Sequence, residues 1–361
     1  MRLALNLGYQ TAWSGAADQL VLAREADRLG LQSVWVAEAY GSDAPTTLAW
    51  LAGQTERIDL GSAILQIPAR TPAMTAMTAA TLDSVSGGRF RLGLGVSGPQ
   101  VSEGWHGVRF AKPLARTREY VEIVKLALSR KPVAYDGEHY TLPLPDGPGK
   151  ALRLTLHPVR DHIPIYLAAV GPRNLELAGE IADGWLAIFF APEYAAEHRE
   201  HLLAGRARAT AGGADPARAG AAGLDGFDVV ATVPVVIGDD VASCAELVRT
   251  YAALYVGGMG SREQNFYNQL ATRMGYGAAA AQVQELYLAK RHRDAAAAVP
   301  LELVDRTSLL GPVDRVADRM RAYAESGVTT LAVALFVGDA EDGVTALRQI
   351  SAAYEKSGLA E

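Results

Sequence analysis

The sequence predicts a (β/α)8 barrel, the TIM-barrel fold of the α/β class, with inserted segments. Eight short apolar segments have the length of strands, and most precede a stretch with the apolar spacing of a helix. The strands are apolar enough to be covered on both faces, which favours a closed parallel barrel. The chain has 361 residues and no composition shift at its middle. We therefore expect a single domain over 1–361, with insertions at about 131–162 and 257–300.

The first half of the chain repeats a strand-then-helix unit four times. Apolar residues spaced from Leu20 to Leu29 give the first helix one apolar face, and Gly30 closes it. Pro72 suits a first helical turn because its φ is already fixed. The predicted strands are 3–8, 33–36, 58–65 and 90–95, and the predicted helices are about 16–29, 46–54, from 72, and 114–129.

The second half is less regular. Prolines clustered between 131 and 162 break the alternation and indicate an inserted hairpin with long loops. The Ala- and Gly-rich run 207–226 indicates a mobile loop after a helix from about Glu193. An inserted helical pair is expected after 257. The remaining predicted strands are 164–169, 185–188, 227–237 and 329–336, with helices at about 172–181, 243–254, 312–325 and 344–354.

Composition narrows the possible partners. The chain carries 34 Lys and Arg against 40 Asp and Glu, a net charge of −6, and its basic clusters are too short to follow a phosphate backbone. Nucleic acid is therefore not expected. No segment has the unbroken apolar length of a membrane span or the pattern of a signal peptide, so a cytoplasmic protein is expected. The lone cysteine, Cys244, is interpreted as a structural thiol.

The glycine-rich turn Gly93–Gly98 has two interpretations. Gly93, Gly95 and Gly98 match the phosphate-binding turn of a dinucleotide fold. That turn needs a helix to begin at once and an acidic residue at the end of the next strand. Here the chain runs into Pro99, and the next helix is expected only near 114. We therefore interpret the turn as the fourth strand end of the barrel.

Polar residues at the predicted strand ends are the candidates for chemistry, because barrel active sites lie there. Glu38 follows strand two and could orient a substrate or exchange a proton, or it could simply cap a loop. His106 could relay protons near neutral pH, or it could be a rim histidine bonded to a loop. The turn Ala169-Val170-Gly171 before a predicted helix suits an anion, although a tight strand-to-helix turn explains it equally well.

Metal chemistry and acyl transfer lack sequence support. His198 and His201 lie three residues apart on a predicted helix, but the surroundings are charged and the zinc pattern H-E-x-x-H is absent. A solvated helix face is the favoured interpretation. No nucleophile elbow, phosphate loop or cysteine cluster occurs. No metal site is therefore expected.

A family resemblance rests on five segments, Ser33–Asp43, Gly61–Pro72, Ser86–Phe90, Leu92–Gly98 and Ala178–Trp185. They resemble the bacterial-luciferase-like superfamily, and the resemblance covers nearly the whole chain. Within it, the run Gly95–Gly107 is most similar to oxidoreductases that use the deazaflavin coenzyme F420.

The resemblance implies a cofactor ring across the strand ends, against a bulge with a cis peptide bond that does not precede proline. By position that bond is Ala63–Ile64. Glu38 matches the acidic residue beside the ring, and Gly171 ends the turn that holds phosphate. Carried over by position, the cofactor-binding set is Glu38, Ala63, Ile64, Ser97, Gly98, Gln100, Ala169, Val170 and Gly171.

One departure from the family concerns the substrate. In the sugar-phosphate dehydrogenases of this family a histidine follows the acidic residue after strand two, whereas Ala39 stands here. The base proposed for an alcohol substrate is therefore missing. A lysine-rich phosphate-binding segment is not evident after Trp185 either, so a sugar phosphate is not favoured.

The expected function is hydride transfer between C5 of F420 and a small organic substrate, with Glu38 or His106 as proton donor or acceptor. The alternatives are a luciferase-like monooxygenase that uses reduced FMN and oxygen, and a barrel that binds a flavin or deazaflavin without catalysis. The resemblance implies a homodimer. The segment Gly258–Tyr276, with Arg262, Asn265, Tyr267 and Asn268, is the expected wall that selects substrate, unless it serves surface packing or a subunit contact.

Overall fold

Eight parallel strands close into a barrel in the computed structural model, which describes residues 1–10, 15–211 and 223–360. Each strand pairs with the next, and the last closes on the first through pairs such as Arg2 with Thr330. The predicted fold class is thereby confirmed. The strands are β1 (Arg2–Gly8), β2 (Ser33–Val36), β3 (Asp59–Ser62), β4 (Phe90–Gly95), β5 (Ile165–Ala168), β6 (Gly184–Ile188), β7 (Asp228–Ile237) and β8 (Thr330–Leu335).

Helices cover the outside of the barrel and begin where the sequence supplies caps. The Asp43 carboxylate accepts a hydrogen bond from the Thr46 N–H, and the Thr71 hydroxyl accepts one from the Met74 N–H. The helices that follow the strands are Ala16–Arg28, Ala44–Ala52, Pro72–Val85, Pro113–Leu128, Pro172–Ile181, Ala195–Ala211, Val241–Ala253 and Ala340–Lys356, while Val313–Glu325 precedes β8.

Two segments stand outside the repeated strands and helices, the first insertion before β5 and the second insertion between β7 and β8. The first holds a short antiparallel hairpin of Tyr135–Asp136 and Thr141–Leu142. The second is a series of short helices rather than a helical pair, and its last segment, the strand Leu309–Gly311, pairs with the end of β7. Its helices are Leu254–Gly258, Phe266–Ala271, Thr272–Tyr276, Gly277–Leu288, His292–Ala297 and Leu301–Arg306.

Two local expectations are wrong. A short helix, Pro99–Gly104, begins directly after the glycine-rich turn, because Pro99 at its first position is already set for a helix. The helix Ala195–Ala211 extends into the run expected to be a loop. Of that run, residues 212–222 lie outside the described part of the chain.

The barrel interior is filled by large side chains, and its amino end is closed by ion pairs. Trp35 and Tyr166 meet edge to face inside the barrel, with ring centroids 5.2 Å apart. Below them, Arg91 Nη2 lies 2.6 Å from Asp59 Oδ2, and the Tyr166 hydroxyl donates to Asp228 Oδ2 at 3.0 Å. This end of the barrel is therefore structural, and the carboxyl ends of the strands are left to hold a site.

Candidate functional site

The residues that the sequence singles out lie at the carboxyl ends of four neighbouring strands. Glu38 follows β2, Ala63 follows β3, Ser97 follows β4 and Ala169 follows β5. These four strands are consecutive neighbours in the barrel. The fold therefore brings the predicted residues to one rim.

Glu38 is the centre of a buried ion-pair network on this rim. Both of its carboxylate oxygens accept hydrogen bonds from the Arg70 guanidinium, and the backbone N–H groups of Ala44 and Gln66 donate to them at 3.2 and 3.0 Å. Arg70 also reaches Asp43 Oδ1 at 2.7 Å. Burial lowers the pKa of Arg70, but Glu38 and Asp43 together outweigh it and raise that pKa above its ordinary value. Glu38 thus joins the loops after β2 and β3.

Gln66 connects the third and fourth strand ends. Its Nε2 donates to Ser97 Oγ at 3.0 Å, and its Oε1 accepts from His106 Nε2 at 2.8 Å. Ser97 has a φ of 61°, in the left-handed region that non-glycine residues seldom occupy. The hydrogen bond to Gln66 holds the half-buried His106 ring through Nε2, so the other ring nitrogen, Nδ1, does not take part in this contact.

The predicted cis peptide bond is present at Ala63–Ile64. After it, Leu65–Gln66 pairs again with the end of β4. The glycines of the turn make this close approach possible, since a Cβ on Gly93 would lie 1.9 Å from the Ser62 carbonyl oxygen and one on Gly95 would lie 2.9 Å from the Ile64 side chain. These two glycines therefore serve packing between β3 and β4.

Two other glycines border open space on the same rim. A Cβ on Gly171 would meet nothing within 4 Å, and one on Gly98 would meet only Gln100 Oε1 at 3.6 Å. Gly171 caps the helix Pro172–Ile181, and a helix N-terminus suits an anion. Pro172 has no N–H, and the Asn174 N–H already donates to the Gly171 carbonyl at 3.0 Å. Arg273, from the second insertion, donates to the Val170 carbonyl at 3.1 Å, and Trp185 Nε1 donates to the Ala169 carbonyl at 2.9 Å. Hydrogen bonds thus fix the backbone of Ala169 and Val170, and open space borders the backbone of Gly171.

His198 lies in the core, so the expectation of a solvated helix face is wrong for it. It packs against Trp185 and Phe190 with ring centroids 5.1 and 5.6 Å apart. Burial, helped by the nearby Arg273 and His201, lowers its pKa to about 4. Among the described residues, no group of three or more His, Cys, Asp or Glu side chains could hold a metal ion. Cys244 is buried, as a structural thiol would be.

Within the segment expected to select substrate, the side chains divide by location. Arg262 is exposed. Asn265 caps the helix Phe266–Ala271 and donates to two backbone carbonyls, and Asn268 donates to the Ala280 carbonyl at 2.8 Å. Both asparagines therefore hold the segment together, while Tyr267 joins a group of rings.

That group, the aromatic wall, consists of Phe189, Tyr251, Tyr255, Tyr267 and Phe336. Neighbouring ring centroids in it are between 4.7 and 6.0 Å apart. Phe189 follows β6 and Phe336 follows β8, so the wall stands on the opposite side of the barrel mouth from the Glu38 rim.

The sequence places Gln66 and Arg70 at the end of strand three but predicts no role for either, and it does not reveal most of the aromatic wall. Arg70 and Gln66 occur among the residues after strand three, so their position was a usable signal. Their partners, however, lie between 27 and 40 residues away. The wall comes from separate elements, and no local spacing marks its members.

The fold and the rim define a class of protein, the parallel α/β barrel with a cis-peptide bulge at the carboxyl end of a strand. The sequence profile of the luciferase-like monooxygenases matches residues 3–330, and the chain belongs to this family.

Two named proteins are similar to this chain over most of its length. A Mycobacterium tuberculosis protein, Rv3520c, with the provisional name coenzyme F420-dependent oxidoreductase, is 46% identical over 340 residues, covering 92% of this chain and 94% of that protein. The 5,10-methylenetetrahydromethanopterin reductase of Archaeoglobus fulgidus is 28% identical, covering 87% of this chain and 88% of the reductase.

A solved structure supports the fold. The coenzyme F420-dependent tetrahydromethanopterin reductase of Methanopyrus kandleri superposes with a TM-score of 0.79 at 24% identity, covering 98% of this chain and 97% of that one.

Proposed function

We propose that this protein is a coenzyme F420-dependent oxidoreductase that moves a hydride between C5 of the deazaflavin and a small organic substrate. The observation that carries the proposal is the rim itself, where the cis bulge at Ala63–Ile64 after β3 is followed by the accessible glycines Gly98 after β4 and Gly171 after β5. The 46% identity with a relative named for F420 supports the choice of cofactor.

The residues present fit such a cofactor. A planar ring needs backbone that it can approach closely, and Gly98 and Gly171 leave open space beside theirs. The helix beginning after Gly171 would receive an anionic part of the molecule, with Arg273 beside it. When bound, the deazaflavin supplies a carbon that gives or accepts a hydride, and the protein contributes position and proton transfer.

Of the two predicted proton carriers, the geometry favours His106. Both oxygens of Glu38 are occupied by Arg70 and two backbone N–H groups, so Glu38 would hold the cofactor-facing loops in place. His106 is anchored through Nε2 to Gln66, which leaves Nδ1 to exchange a proton with substrate or water.

Titration of the purified protein with F420, FMN and NADPH, each followed by fluorescence, tests the cofactor. The proposal expects saturable binding of F420. Tight binding of FMN without F420 would favour a monooxygenase that uses reduced FMN and oxygen.

A barrel that binds F420 without catalysis is distinguished by the variants Glu38→Gln and His106→Ala. The proposal expects His106→Ala to bind F420 and to lose most of its F420-linked turnover. A rate unchanged in both variants, with binding retained, would favour the non-catalytic barrel.

We also propose that the protein forms a homodimer. The helices Ala44–Ala52 and Pro72–Val85 carry exposed apolar side chains, Trp50, Met74, Met77 and Val85. An uncharged surface of this kind suits contact with a second copy. Light scattering during gel filtration would give twice the chain mass of 38.2 kDa, and a monomer mass would refute the dimer.

No helix in the described part of the chain is long and apolar enough to cross a membrane.

A further inference from the structure

The aromatic wall consists of uncharged rings that pack on one another and on the buried cluster beneath them. Its members come from the ends of β6 and β8, from the helix Val241–Ala253 and from the second insertion. Phe189 is buried, and the other four side chains are half-buried and keep part of their surface in contact with solvent. Such a surface can cover an apolar ligand.

The backbone of Phe189 shows that this arrangement is built with strain. Its φ of 52° lies in the left-handed region, which is a genuine outlier for a bulky residue. Strain of this kind clusters at ligand sites. Phe189 stacks on Tyr251 with the ring planes 16° apart and the centroids 5.4 Å apart. The strained residue therefore anchors the wall.

The wall is uncharged at neutral pH. Burial raises the pKa of Tyr255 to about 12 and raises that of Tyr251 well above its ordinary value, so both hydroxyls keep their protons. On the opposite rim, the cation Arg70 is already committed to Glu38 and Asp43. The five rings themselves offer no cation, so a phosphate or carboxylate on the substrate would lose water beside them without gaining a charged partner from them.

From this geometry we propose that the aromatic wall binds the substrate, and that the substrate is an uncharged, planar aromatic carbonyl compound. The inference rests on the proposed function and names its substrate class. In the reducing direction a C–H bond forms at the carbonyl carbon as the C=O π bond breaks. The hydride would come from reduced F420, which would be left oxidised, and the oxygen would take a proton from His106 or water.

A matched pair of probes tests the inference, 2-naphthaldehyde and 6-carboxy-2-naphthaldehyde, which differ by one carboxylate. Equilibrium dialysis without cofactor measures binding, and oxidation of reduced F420 measures turnover. The neutral probe is expected to bind at least about 100-fold more tightly, because the carboxylate would be desolvated unpaired. Equal or tighter binding of the acid would overturn the proposal.

Variants locate the probe on the wall. Tyr267→Ala is expected to weaken binding of 2-naphthaldehyde about tenfold, and Tyr267→Phe, which keeps the ring, to weaken it less. Tyr135→Ala, in the first insertion, is the control and should leave binding unchanged. Phe336→Ala provides a second test if Tyr267→Ala does not fold. Equal binding by wild type and both wall variants would overturn the site.

The two proposals can fail separately. Retained binding of 2-naphthaldehyde that depends on Tyr267, in a protein that binds no F420, would support the wall and refute the F420 assignment. Binding of F420 with preference for the carboxylate probe would refute the wall and leave the F420 assignment intact.

Discussion

Replacing Arg70 by methionine would test whether the ion pair with Glu38 holds the rim. The side chains of Arg70 and Glu38 are 15% and 6% exposed, so the remaining carboxylate would stay buried without its cation. Removing one partner of a buried pair costs about 3–5 kcal/mol. Glu38 would keep its bonds from the N–H groups of Ala44 and Gln66, so we expect a loss near the lower end, about 3 kcal/mol.

Urea unfolding measures this loss. With an m value of about 3 kcal/mol/M, Arg70→Met should lower the midpoint by about 1 M. The matched control is Arg109→Met, which breaks a pair with Glu103 whose side chains are 79% and 40% exposed. That pair should contribute less than about 0.5 kcal/mol. The double variant Glu38→Gln/Arg70→Met should lose less stability than Arg70→Met alone, because it leaves no buried charge. An Arg70→Met midpoint equal to that of Arg109→Met would refute the reasoning.

Two further predictions concern packing and pH. Gly205→Ala should lower the free energy of unfolding by about 2 kcal/mol in thermal or urea unfolding, since its Cβ would lie 2.0 Å from the Glu176 carbonyl oxygen. Gly104→Ala is the control, because its Cβ would meet nothing within 4 Å, and it should leave stability unchanged. Equal effects of the two substitutions would contradict this prediction. The pKa of His198 in the folded protein is lowered to about 4, so as pH falls the unfolded chain binds this proton first. The stability that the neutral, buried His198 gives to the folded state is therefore complete above pH 6.5 and is lost as pH falls toward 4. Between pH 7 and 5 the wild type should lose about 2 kcal/mol more than His198→Phe, and parallel pH profiles of unfolding would exclude this role.

The fold, and the gathering of the candidate residues on one rim, could be predicted because they depend on local patterns. Strand and helix periodicity indicates the barrel, and the barrel rule then places residues after β2 to β5 on one rim. The short helix Pro99–Gly104 escaped prediction because six residues are too few to show a helical period. His198 was misjudged because its sequence neighbours are charged, although its own face of the helix turns inward.

The contacts within the site could not be predicted, because they join residues that are far apart in the chain. Gln66 and His106 are 40 positions apart, and Arg70 lies 32 positions from Glu38. Nothing in the sequence set Tyr251 and Tyr255 apart, and Tyr267 was named only as part of the expected substrate-selecting segment. The fold places all three with Phe189 and Phe336. Only the three-dimensional structure shows that Arg70 binds Glu38, and this ion pair is the reason that His106 is the favoured proton carrier.

The binding of F420 to a Gly171→Val variant would show whether the cofactor lies on the rim beside Gly171. The first side-chain atom of residue 171 enters open space, so valine leaves the protein folded but fills the space that the cofactor needs. Gly147→Val, at another glycine with open space around it, is the control. We expect saturable F420 binding by the wild type and by Gly147→Val, and at least tenfold weaker binding by Gly171→Val. Failure of the wild type to bind F420, or equal binding by all three proteins, would contradict this expectation.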